Sequence, residues 1–333
     1  MADKRLEESK NSVVKNHLAV LNHYRFAEGN AGEGFTAAFD GMLFNLPTHL
    51  ATQSGLPFKI YNVLHNRRHT IEATVAFFIS DNIAYSPLRA PFGSIDMHDA
   101  LPARVLFNFI LFIEQQLFAD GVHTINIINY PQAYVPSHAA LLETLLINRG
   151  FHVAKAEIGS VLHVAAQEFS TGLNKWELRK LKQCRQAGLH FTALDVDAFS
   201  VVYAFINQCR MHKGYTLSLT HDALLSLVKK FPEHYLMFGV FADNVLAAAS
   251  IAVRINKRIV YNFYSAHAPA FDDVSPVVML VEGMYDYCKQ INAALLDLGT
   301  AAIDGAPNFP LLEFKLRLGA VPTSKFTFQK KLA

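Results

Sequence analysis

The chain repeats itself, and a repeat of this length restricts the fold more than any other feature of the sequence. Phe58 to His65 alternates like a strand, the polar turn His65 to His69 follows, Thr70 to Ser80 reads as a second strand, Asp81-Asn82 as a tight turn, and Ile83 to Leu88 as a third strand. The same meander returns as Tyr235 to Ala242, Val245 to Ile255 and Arg258 to His267, with turns at Asp243-Asn244 and Asn256-Lys257. Each meander leads to a helix opened by a proline, Pro102 and then Pro276 behind a capping Ser275, where the missing N–H costs nothing. A short apolar strand follows in each copy, Thr124 to Tyr130 and Ala294 to Leu298. Then comes a helix carrying Leu141-Leu142-Glu143 before Gly150, matched by Leu311-Leu312-Glu313 before Gly319. Each copy ends in a strand segment, Phe151 to Ala165 and Ala320 to Leu332. Three antiparallel strands, helix, strand, helix, strand, taken twice, make an α+β chain with mixed, mostly antiparallel sheets flanked by helices.

Composition agrees with two cores. The 333 residues are 51% hydrophobic and 12% aromatic, enough to fill two domains of ordinary size. The longest apolar stretch, Val105 to Phe118, is broken by Asn108, Glu114, Gln115 and Gln116 and is too short for a membrane span. The charged start MADKRLEESKN lacks a signal peptide's apolar run, and Cys184, Cys209 and Cys288 stand far apart, so a cytoplasmic protein with reduced thiols is expected. A net charge of +2 argues against a general binder of duplex DNA. The histidines stand singly without HExxH or paired Cys, so no metal is expected. Gly29, Gly32 and Gly34 read as a flexible loop, since no Gly-Lys-Ser/Thr follows, and no G-x-S-x-G elbow is present.

Between the copies, Thr171 to Leu189 reads as a helix with Leu173, Trp176, Leu181 and Cys184 near one side. Its other faces carry Lys175, Arg179, Lys180, Lys182 and Arg185 against only Glu177, which suits either a phosphate-bearing substrate or a solvated linker. The copies differ where chemistry would sit. Leu141-Leu142-Glu143-Thr144-Leu145 becomes Leu311-Leu312-Glu313-Phe314-Lys315, placing a cation at the C-terminal edge of the second sheet. A lysine among apolar residues needs a carboxylate, phosphate or carbonyl beside it, unless it reaches solvent.

With these landmarks the chain, over about residues 35 to 332, resembles tandem GCN5-related N-acetyltransferase (GNAT) folds, in particular the FemAB/FemX-type peptidoglycan branching transferases. Ser86-Pro87 with Ala90-Pro91-Phe92-Gly93 is similar to the loop after that family's third strand, and Leu178-Arg179-Lys180 with Arg185-Gln186-Ala187-Gly188 to its interdomain basic helix. Ser275-Pro276, Leu296-Asp297-Leu298-Gly299, Phe314-Lys315 and Leu318-Gly319-Ala320 follow its order in the second copy. The resemblance implies transfer of an acyl or aminoacyl group, from a CoA- or tRNA-type donor, to an amine of a small-molecule or peptidoglycan-precursor-like acceptor. It places Phe314 and Lys315 against substrate and carbonyl. The pyrophosphate signature R/Q-x-x-G-x-G/A is incomplete, because its nearest match, Arg185 to His190, lacks the final small residue. The long coiled-coil arm that some relatives use around transfer RNA is also absent.

Acyl transfer needs a polarised carbonyl and a protonated leaving group. Lys315 suits the oxyanion, Tyr264 a proton donor, Asp297 the orientation of a cation or amine, and Arg179, Lys182 and Arg185 a substrate phosphate. The loop from Ser86 to Gly93 reads either as a wall around the acceptor or as a simple crossing. The expected organisation is an N-terminal helical or loop lead-in over 1–34, a first domain over 35–170, a connecting helix over 171–190 and a second domain over 191–333. A non-catalytic binding protein that keeps the tandem fold is the competing reading.

Overall fold

The computed structural model describes residues 23–303 and 305–332, so most of the lead-in, residues 1–22, lies outside the described residues. In chain order the main elements begin with β1 (Tyr24–Glu28), β2 (Phe58–His65), β3 (Thr70–Ser80), β4 (Ile83–Ser86), α1 (Ala103–Ala119), β5 (Thr124–Ile128), α2 (Pro136–Asn148) and β6 (His152–His163). They continue with α3 (Lys175–Gln186), β7 (Leu189–Leu194), α4 (Phe199–His212), α5 (His221–Lys230), β8 (Tyr235–Ala242), β9 (Val245–Arg254), β10 (Ile259–His267), α6 (Val277–Gln290), β11 (Leu295–Thr300), α7 (Phe309–Arg317) and β12 (Val321–Lys331). Both meanders stand where they were expected, and the helices begin one residue after Pro102 and Pro276. Ser275 is a correction: it sits at φ +56 and its side chain caps nothing, because the turn instead gives its backbone carbonyl to the N–H of Val278.

The compact units interleave along the chain. One comprises the described part of Met1–Tyr130 with Val135–Lys155 and Phe326–Ala333, and the other Pro131–Tyr134 with Ala156–Lys325. The closing strands are therefore exchanged rather than kept by each copy. In the first unit β1, β2, β3 and β4 are antiparallel neighbours and β4 runs parallel to β5. The slot beyond β5 is filled antiparallel by the last residues of β12, with Thr327 opposite Ile128 and Lys331 opposite Thr124. Lys330 bonds the buried Glu114 of α1, which also holds Arg149. Val105, Phe109, Ile113 and Leu117 of α1 recur at helical spacing and pack on Tyr61, Val75, Phe77, Ile125 and Phe328.

In the second unit β7, β8, β9 and β10 are antiparallel neighbours and β10 runs parallel to β11. Here the slot beyond β11 is taken by β6, with Leu295 opposite His163 and Asp297 opposite Val161. The basic helix α3 belongs to this unit, which is why the boundaries depart from 171–190 and 191–333. Its buried side is Glu177, Leu181 and Cys184, spaced four and three residues apart, which leaves Trp176 57% exposed rather than on the apolar side. Helices α4 and α5, absent from the sequence reading, precede the second meander, and α4 packs on β9 and β10.

Gly319 ends α7 at φ +84, and a Cβ there would stand 2.7 Å from the backbone oxygen of Gly172. Gly188 has φ +75 with open space around it. Gly188→Ala should therefore lower stability by about 1 kcal/mol, the left-handed penalty alone, and Gly319→Ala by roughly 2–4 kcal/mol as the two backbones are forced apart. Urea unfolding of the two variants checks the order.

Candidate functional site

The parallel ladder between β10 and β11 is three pairs long: Ile259 opposite Leu295, Val260 opposite Leu296, Tyr261 opposite Asp297. Beyond Tyr261 the strands part, β10 staying on β9 as far as His267 and β11 turning at Gly299, φ +78. A cavity of about 610 Å³ opens in this unit. Asn262, Ser265 and His267 line it from β10, Leu298 and Thr300 from β11, and Phe314, Lys315 and Leu318 from α7 and its end. Arg210 and Lys213, at the end of α4, and Val277 and Val281 of α6 complete the walls. Three cations and no carboxylate are among the described lining residues, which suits an anionic group beside an apolar one.

Lys315 is 6% exposed, and its Nζ donates to the carbonyls of Gly299 at 2.9 Å and Thr300 at 3.0 Å. Burial pulls its pKa down to about 8, against the charge of Asp297. Relative to the ordinary value of 10.5, this disfavours the buried ammonium by about 3 kcal/mol. Asp297 lies beneath, buried, with one oxygen taking the Tyr134 hydroxyl at 2.7 Å and the other the Gly299 N–H at 2.7 Å. Burial pushes the Asp297 carboxyl up, while those two donors and then Lys315 and Lys325 oppose it. His267 bonds Asp272 at 2.7 Å; burial first and Lys213 second hold its pKa below the ordinary value, favouring the neutral, proton-accepting form.

The expected site residues divide. Phe314 and Lys315 line the cavity, and Asp297 supports it from below. Tyr264 is not among the lining residues: its hydroxyl is bound to the Ser218 hydroxyl and the Leu219 N–H, and its ring carries Arg210 at 5.5 Å. Arg179 and Lys182 are exposed, Arg185 bonds Glu282 at 2.8 Å, and none of the three lines the cavity. Ser86 lies in the first unit, where its Oγ accepts the Ser94 N–H. Arg210, Lys213 and His267 went unread. The one trace of the first two was the cluster Arg210-Met211-His212-Lys213 before Gly214, on a helix that the sequence did not declare.

The first unit is built differently at the equivalent strands. Its β4–β5 ladder runs one pair further, to Ser86 opposite Ile127, and Gly93 donates to the Ile128 carbonyl at 2.9 Å. The buried Phe92 and Ile95 lie on the same loop, and Tyr130 reaches the Ile95 carbonyl. Tyr85 opposite Asn126 stands where Tyr261 faces Asp297, so carboxylate and lysine are both missing.

The turn before α6, Ala268 to Pro276, contains no glycine and carries Asp272 and Asp273. Its residues do not fit the pyrophosphate of an acyl-CoA, which needs close backbone approach and no negative charge.

Residues 175–309 match the acetyltransferase (GNAT) domain family. The crystal structure of FemX is similar at TM-score 0.68 and 12% identity, over 88% of this chain and 93% of that one. The C-terminal domain of a putative lysylphosphatidylglycerol synthetase from Agrobacterium fabrum matches at 0.52 and 12% identity, over 78% and 81%. A tandem GNAT protein from the clavulanic acid biosynthesis pathway matches at 0.50 and 9%, over 93% and 99%. No curated protein matches by sequence. The repeat, the strand order and these likenesses agree: the chain has a tandem GNAT fold similar to that of FemX, and its residues 175–309 carry the GNAT acetyltransferase domain match.

Proposed function

We propose that the second unit is an acyl- or aminoacyltransferase site acting on an amine acceptor, with Lys315 as the group that meets the reacting carbonyl. The observation that carries this reading is the open cavity at the parted strands with a buried lysine held in its wall, where the first unit has Leu145 and its own loop. An ammonium has three N–H donors. Two are taken by Gly299 and Thr300, which leaves one for an acyl oxygen. As the amine nitrogen attacks and the C–N bond forms, negative charge develops on that oxygen and the Lys315 ammonium stabilises it. Collapse expels the leaving group, and the amine's proton departs with it, His267 being a lining residue able to carry it.

Arg210 and Lys213 suit a phosphate or carboxylate on one substrate, while Val277, Val281, Leu298 and Phe314 suit an apolar portion. The turn before α6 favours an ester donor of the aminoacyl-tRNA type over acyl-CoA, and the exposed Arg179 and Lys182 are candidate contacts for its backbone. FemX and the lysylphosphatidylglycerol synthetase domain, whose folds are similar, support a peptidoglycan-precursor or lipid headgroup as acceptor class.

Lys315→Met should reduce transfer roughly ten- to a thousandfold, the scale of losing one oxyanion contact. Transfer by the unaltered chain should fall as pH rises through about 8, where Lys315 loses its proton. The same substitution removes the cost of the buried ammonium but also the donors to the Gly299 and Thr300 carbonyls, so its effect on thermal stability should depend on pH. The lysine's folded pKa, about 8, lies below the unfolded 10.5, so its penalty is full below pH 8 and fades toward 10.5. Melting curves at pH 7 and pH 10 should show the variant faring better against the unaltered chain at the first than at the second. Full transfer by Lys315→Met removes the site assignment, whereas no transfer by the unaltered chain leaves the non-catalytic binder.

Anion binding divides the two basic regions. With inorganic phosphate as probe, Arg210→Gln should weaken binding about tenfold and added salt should weaken it further, while Arg179→Glu leaves it unchanged. With transfer RNA as probe, Arg179→Glu should weaken binding in a salt-dependent way, and an unchanged affinity makes α3 a solvated face.

A further inference from the structure

The segment Pro131–Tyr134 comes from the first half of the sequence and belongs to the second unit. It is fastened there by the Ala133 N–H, which donates to Thr323 Oγ1 at 2.9 Å, and by Ser324 Oγ, which donates to Gln132 Oε1 at 3.2 Å. Its last side chain, Tyr134, is buried, and its hydroxyl donates to Asp297 Oδ2 at 2.7 Å. The other Asp297 oxygen holds the N–H of Gly299, and the carbonyls of Gly299 and Thr300 hold Lys315. A continuous series of hydrogen bonds thus runs from a tyrosine of the first half to the amine in the cavity wall.

We infer that Tyr134 is a positioning residue of this site, one that keeps Asp297 charged and the Gly299 turn in place, and through them sets the orientation and ionisation of Lys315. The inference rests on the proposed transfer reaction only for its kinetic consequence, because the state of the amine is measurable without any substrate. Asp297 of β11 is the counter-charge that faces Lys315. Arg210 and Lys213 reach the cavity from α4, His267 from β10, and Tyr261, Glu157 and Lys325 act on the same cluster from β10, β6 and β12. Removing the Tyr134 hydroxyl takes away one of the two donors that favour the Asp297 carboxylate. The carboxyl then holds a proton at higher pH, and Lys315 loses part of the charge that favours its ammonium form. Tyr134→Phe therefore makes Lys315 a better nucleophile and a poorer cation near pH 7.

The experiment is competitive labelling of the full chain with acetic anhydride across pH 5–11, read at Lys315 by peptide mass spectrometry. The unaltered chain should be half-labelled near pH 8. Tyr134→Phe should move that midpoint down and raise labelling at pH 7 about fivefold. Asp297→Asn, which keeps an acceptor for Gly299 but no charge, should move it further in the same direction. Tyr285→Phe removes another tyrosine hydroxyl of the same unit, one bound to Ala165, and should leave the midpoint in place. A Lys315 midpoint identical in Tyr134→Phe and the unaltered chain overturns the inference. Should Tyr134→Phe not fold, an unmoved midpoint in Asp297→Asn overturns it equally. A shifted midpoint in a chain with no transfer activity upholds the hydrogen-bonded series and removes the functional reading instead.

Discussion

The cavity and its chemistry depend on a parallel ladder that stops after three pairs. Were β10 and β11 paired to their ends, Leu298 and Thr300 would lie against β10 and no space would remain for Arg210, His267 and Phe314 to share. Stopping the ladder strands polar backbone groups, and such groups need partners when buried. The second unit supplies them from side chains: Asp297 takes the Gly299 N–H, and Lys315 takes the Gly299 and Thr300 carbonyls. The residues that look chemically active are thus also those that keep the opened strands satisfied. The depressed Lys315 pKa is the energetic consequence of that double duty.

The first unit shows the other outcome of the same topology. One more ladder pair, a loop that donates from Gly93 to Ile128, and the Ser86 and Tyr130 hydroxyls, which bond that loop at Ser94 and Ile95, serve its strand ends without a lysine. Asn126 and Leu145 at the positions of Asp297 and Lys315 follow from this. The two copies thus end these strands in two ways, each with its own set of hydrogen bonds.

Within the second unit, the copy-to-copy contrast of Leu145 with Lys315 was enough to single out the lysine and the adjacent Phe314, because a charge replaced an apolar residue in an otherwise matched helix. Tyr264 and Asp297 were legible as polar groups on the right strands, but their directions were not. Side chains alternate across a strand, and the irregularity in the β9–β10 register between Ile251 and Ala252 lies opposite Asn262 to Tyr264, where a count by twos fails. The basic face of α3 was the strongest local charge signal, yet it turns to solvent and to Glu282, since the burial of Glu177, Leu181 and Cys184 decides which way that helix faces.

The sequence by itself determined the repeat, the meanders, the helix starts after Pro102 and Pro276, and the one lysine that breaks the symmetry of the copies. Each of these is a local pattern, set by alternation, by proline's missing N–H or by glycine at positive φ. The tertiary structure alone decided that the closing strands are exchanged, β6 completing the second sheet and the end of β12 the first. Both segments form long strands, and strand propensity alone does not choose which edge each one takes. It alone also brought Tyr134, 163 residues away in sequence, to Asp297. A buried hydrogen bond of that span leaves no periodicity for a sequence to display, because its partners are chosen by the packing of whole elements.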